Sequence, residues 1–152
     1  MTRSNRESSK LVGQTAAAGF QIGVRRTFPV SPEQVWSFLT SPEGTKLWLG
    51  NVPPPAFNEG ETFVSDQGIS GQFRVVKPLR QLRLKWGKEN WEKPSTLQIR
   101  LLSSHPDRTT ISFHQEHLDH PNTREQMKLH WENVLRAIWQ KTVPVNDEKG
   151  GG

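Results

Sequence analysis

Apolar and polar residues alternate along most of the stretch from Gln21 to Glu116, the period of strands with one buried and one wet face. Over residues 21–28, Ile22, Val24, Arg26 and Phe28 share one face, and Gln21, Gly23, Arg25 and Thr27 share the other. The same alternation predicts strands at 61–65, 70–77, 81–88, 96–103 and 109–116, separated by Gly, Pro and Asp turn signals. Leu82, Leu84 and Trp86 interleave with Arg83 and Lys85, and Leu97, Ile99 and Leu101 with Gln98 and Arg100, as in an antiparallel meander.

The period changes in two places. Ser31-Pro32-Glu33-Gln34 supplies a capping serine, a proline suited to a first turn and a glutamine three residues on, and starts a helix carrying Val35, Trp36, Phe38 and Leu39. Ser41-Pro42-Glu43 repeats the signal and runs through Lys46-Leu47-Trp48-Leu49 to Gly50, which predicts two short helices meeting at an elbow. From Pro121 onward, Met127, Trp131, Val134, Leu135 and Ile138 recur at helical spacing; with Ala137, His130 and Trp139 at the margins, the stripe covers roughly 200° of the wheel. So broad a stripe needs a concave partner, and a curved sheet is the one the chain offers. The expected fold is α+β: an antiparallel sheet of six strands wrapped round a long C-terminal helix.

The ends lack this patterning, so residues 1–19 and 144–152 are expected as flexible tails around a single domain, 20–143. The N-terminal stretch is too polar and short for a signal-peptide core, and no apolar run approaches the ~20 residues that span a membrane. The 152 residues contain no cysteine, which excludes disulfides, Cys-zinc sites and thiol nucleophiles and fits a reducing compartment, so a cytoplasmic location is expected. Six Trp and seven Phe supply large apolar area although hydrophobic residues make up only 32%. The formal charge is +5, but the basic stretch of Arg25-Arg26, Lys77, Arg80, Arg83, Lys85 and Lys88 is interspersed with Glu59, Glu61, Asp66, Glu89 and Glu92. It reads as a solvated sheet face, and no specific nucleic-acid partner is expected.

The order of elements resembles the helix-grip fold of the START and Bet v 1-like (SRPBCC) superfamily. Phe28-Pro29-Val30-Ser31-Pro32-Glu33-Gln34-Val35-Trp36-Ser37-Phe38-Leu39-Thr40-Ser41-Pro42-Glu43, followed by Lys46-Leu47-Trp48, resembles the opening of the branch named for homology to the activator of the heat-shock protein 90 ATPase. The run from Gly71 to Trp86, with its Pro78 turn, is similar to that branch's central hairpin. Arg108-Thr109-Thr110-Ile111-Ser112-Phe113 and Trp131-Glu132-Asn133-Val134-Leu135 resemble its penultimate strand and last helix. One departure is visible: the branch often closes its last strand with His-X-Gly-Leu, where this chain has Gln115-Glu116-His117-Leu118.

A helix laid across a curved sheet leaves space where apolar ligands bind, and the resemblance implies the same. Alternation directs Phe63, Phe73, Leu84, Trp86, Ile99 and Phe113 toward it from strands. Trp48 comes from the second short helix, and Met127, Trp131, Val134 and Leu135 from the long one; the competing reading makes all of them core. His130, at the edge of the stripe, is a candidate ligand contact or lone base, and Arg26 a candidate carboxylate partner or an outward-snorkelling side chain. His114, His117 and His120 are spaced by three, which scatters them on an extended strand, so no metal site is expected. No phosphate loop or nucleophile elbow is present, and no cofactor or catalytic residue is assigned. The leading reading is a module that binds a small hydrophobic or aromatic molecule. A chaperone-associated protein-binding domain is the alternative the resemblance implies, and a cyclase or dehydratase using His130 is the third.

Overall fold

Pairing of the strands is antiparallel throughout, in the order Gln14–Thr15, Gly19–Phe28, Arg108–Leu118, Ser95–His105, Gln81–Lys88, Ile69–Lys77, Thr62–Val64, in the computed structural model, which describes Gln14–Thr15 and residues 19–144. The remaining residues, most of the stretches expected as tails, lie outside the described ones. The six expected strands are β2 (Gly19–Phe28), β3 (Thr62–Val64), β4 (Ile69–Lys77), β5 (Gln81–Lys88), β6 (Ser95–His105) and β7 (Arg108–Leu118). A short addition, β1 (Gln14–Thr15), pairs with Phe20 and Gly19 from a stretch where the hydrophobic pattern shows no strand.

Three helices complete the α+β helix-grip fold: α1 (Pro32–Leu39), α2 (Pro42–Trp48) and α3 (Pro121–Thr142). Ser31 caps α1 in the expected box, its Oγ accepting from the Gln34 N–H while Gln34 Oε1 accepts from the Ser31 N–H. Ser41 caps α2 by accepting from the Gly44 N–H. A Cβ on Gly44 would stand 1.8 Å from the Phe38 carbonyl oxygen, so only glycine lets the two helices meet this closely.

On α3, Met127, Trp131, Val134, Leu135 and Ile138 are buried, an arc of about 100° at 100° per residue. His130, Ala137 and Trp139 flank it half-buried. The broad stripe thus resolves into a narrow seam pressed on the sheet and two amphipathic shoulders. The seam meets the inner face of the sheet, where Phe28, Phe73, Leu82, Leu84, Trp86, Leu97, Ile99, Ile111 and Phe113 are all fully buried. Arg25, Arg83 and Arg100 point to the other face, as period two requires.

Candidate functional site: an aromatic interior and its rim

The eleven apolar residues expected to face the space between sheet and helix converge, and each is at most 6% exposed. Two aromatic groups form. Phe73 takes Phe63 at 5.5 Å and Trp48 edge-on at 6.2 Å, with Phe57 from the preceding loop at 5.3 Å. Trp131 stacks on Phe113 at 4.9 Å and 15°, and meets Trp86 edge-on at 5.4 Å. Leu84, Ile99, Met127, Val134 and Leu135 are part of the same buried cluster.

Five buried side chains of this interior are joined in one relay. An indole N–H only donates, so Trp131 Nε1 fixes the amide of fully buried Gln115, whose Oε1 accepts at 2.7 Å. Gln115 Nε2 then donates to Ser95 Oγ at 2.8 Å, and Ser95 Oγ donates to the Trp86 carbonyl at 2.6 Å. Trp86 Nε1 donates to the Trp48 carbonyl at 2.9 Å, and Trp48 Nε1 to the Leu39 carbonyl at 3.0 Å. The relay runs from α3 across the sheet to α1 and engages all three indole N–H groups and the Ser95 hydroxyl. Sequence reasoning missed Gln115 and Ser95; the parity of Gln115 with Ile111 and Phe113 is the signal that finds it.

His130 is the exception. Its ring lies at the rim, 4.5 Å from Trp131 and 6.1 Å from Trp86, and its buried Nε2 has no hydrogen-bond partner among the described residues. Burial, and then the positive charge of Lys88, lower its pKa from 6.5 to about 4, so the ring is neutral near pH 7. Trp91, on the turn between β5 and β6, meets Trp86 edge-on at 5.6 Å.

Other candidates take separate roles. Arg26 lies over the Trp139 ring at 4.2 Å, a cation-π contact that uses its guanidinium at the end of α3. His114 bonds Gln21, and His120 caps α3 by accepting from the Asn122 N–H. His117 bonds Thr96 Oγ1 at 3.2 Å and holds φ 68°; it stands where the branch's His-X-Gly-Leu pattern places glycine, and it keeps a glycine's backbone. Among the described residues, no three His, Asp or Glu side chains are grouped to hold a metal. No helix among them is long and apolar enough to cross a membrane.

Comparison with solved structures agrees with this architecture. CalU16 from Micromonospora echinospora, in solution, has a TM-score of 0.71 at 22% identity, over 86% of this chain and 70% of that one. An HSP90 activator from Plasmodium falciparum has 0.67 at 19%, over 78% and 92%. DynU16, from the dynemicin biosynthetic locus, has 0.69 at 18% over 79% of this chain; the match spans 46% of DynU16. At these identities the likeness is one of fold. No curated protein matches the chain. The family described as Activator of Hsp90 ATPase homolog 1-like protein matches residues 29–141, from the turn before α1 nearly to the end of α3, and the chain belongs to that family.

Proposed function

We propose that this chain is a non-catalytic binding module that works through its surface on a protein partner, an ATP-driven chaperone of the kind its family is named for. The observation that carries this reading is the relay from Trp131 through Gln115, Ser95 and Trp86 to Trp48: it satisfies the interior's polar groups internally while aromatic rings fill the space beside them. Admitting a ligand there means breaking buried hydrogen bonds at about 1–3 kcal/mol for each orphaned group, besides displacing Trp131. The test is capture of a purified heat-shock protein 90 by the immobilised chain, with its ATPase rate measured in parallel. Enrichment with a changed rate supports the reading; no enrichment and an unchanged rate overturn it.

A second reading keeps one observation of its own. The partnerless Nε2 of His130, between Trp86 and Trp131, offers a small aromatic molecule one acceptor or donor at the rim of the interior. A single titratable group with no second acid or base beside it suits binding better than cyclase or dehydratase chemistry.

A further inference from the structure

The sheet face turned away from α3 carries a row of cations. Arg25 lies opposite Ser112, Ser112 opposite Arg100, Arg100 opposite Gln81, and Gln81 opposite Lys77. A single row across β2, β7, β6, β5 and β4 therefore carries a cation on every second strand. With strands about 4.8 Å apart, these cations recur at roughly 10 Å. Arg80, from the turn after β4, joins them around a depression of about 640 Å³ that no carboxylate among the described residues lines. All four cations are exposed. A second depression of about 440 Å³ on the same sheet, bordered by Arg74, Arg83 and Lys85, again has no acid in its wall.

Three of the acids that accompany these residues in the sequence are engaged elsewhere. Glu59 accepts from the Val76 N–H, Glu61 from Ala56 and Asn58, and Asp66 from Asn51. The ion pairs among the described residues, Arg124 with Glu125 and Lys141 with Glu43, both involve α3. Among the described residues, no ion pair involves the row of cations.

We propose that this row docks an acidic polypeptide segment of a protein partner. Guanidinium groups fork onto carboxylates, and an extended segment sets alternate side chains on one side about 6.6–6.8 Å apart, within the reach of long cationic arms roughly 10 Å apart. Ser104 and Thr110 add hydroxyls, and exposed Leu102 gives the segment an apolar footing. Among the described residues the exposed large apolar side chains are aliphatic, so they give this face no aromatic platform on which bases would stack, and a sheet surface presents no helix to a major groove.

This inference rests on the surface-acting reading above and names the chemistry of the partner. The test is fluorescence anisotropy of a labelled oligoglutamate peptide titrated with the full chain, with labelled oligothymidylate as the comparison. The expected result is saturable binding of oligoglutamate that weakens with salt and falls at least about tenfold in Arg25→Gln/Arg100→Gln. The charge-matched Lys46→Gln/Lys93→Gln changes it less than about twofold. Equal losses in both double variants, tighter binding of oligothymidylate, or no saturable binding of oligoglutamate overturns the docking row. The chaperone capture described above is decided separately, so the two readings fail independently.

Discussion

Trp131 Nε1 and Gln115 Oε1 lie 2.7 Å apart, and both side chains are fully buried, so α3 is attached to β7 by a hydrogen bond shielded from water. Packing alone would let the helix slide along an apolar seam; this bond fixes its register on the sheet. Replacing Gln115 by Leu leaves the Trp131 N–H without a partner and takes a donor from Ser95. The expected cost is about 1–3 kcal/mol in urea unfolding followed by tryptophan fluorescence. Adding Trp131→Phe to that variant costs less than the sum of the single changes, because the orphaned donor goes too. Strict additivity would mean that the bond contributes nothing.

His130 makes stability depend on pH with a definite sign. Its folded pKa, about 4, lies below the ordinary 6.5, so the folded state favours the neutral ring. The contribution is complete above pH 6.5 and is lost as pH falls from 6.5 toward 4. The full shift corresponds to roughly 3 kcal/mol, and partial solvent contact of the ring reduces this to about 1–2 kcal/mol. Phe at this position keeps the ring contacts and removes both the partnerless nitrogen and the titration. His130→Phe should therefore be more stable than the natural chain at pH 4.5 and show a flatter profile between pH 6.5 and 4. Identical profiles would contradict this.

The elbow between α1 and α2 depends on a missing side chain. Gly44→Ala forces a methyl group toward the Phe38 carbonyl, and the expected loss is about 1–3 kcal/mol, read as a drop in thermal midpoint. Exposed Glu92→Ala, away from the elbow, serves as the control and should move stability by no more than about 0.5 kcal/mol.

His117 sits in the left-handed region that the related pattern gives to glycine. Restoring glycine relieves the backbone but removes the bond to Thr96, so His117→Gly should lie within about 1 kcal/mol of the natural chain. His117→Val adds a β-branched side chain at φ 68° and should cost more than His117→Gly by at least about 1 kcal/mol. Equal stability of the two variants would show that the left-handed backbone carries no strain.

Much of this fold is legible in the chain because local rules act alone there. The Ser31 and Ser41 caps and the alternation through Leu82, Leu84 and Trp86 depend on neighbours a few residues away. The interior was harder to read: parity turns Trp86 and Phe113 inward, but whether they wall a chamber or fill it depends on the rotamers of Trp86 and Trp131 and on a partner for each indole N–H. Those partners, Gln115 and the Trp48 carbonyl, come from residues 16 and 38 positions away. The cationic row was beyond local reading altogether, since Arg25 and Arg100 become neighbours only through the registers of β2 and β6 on β7.

Whether the interior is core or chamber is tested most directly by native mass spectrometry of freshly purified protein, followed by denaturation and analysis of any released compound. The expected mass is that of the polypeptide alone, with nothing released. A stoichiometric small molecule, freed on denaturation and lost in a variant with Trp131 replaced, would contradict the closed core and make the space between sheet and helix the functional site.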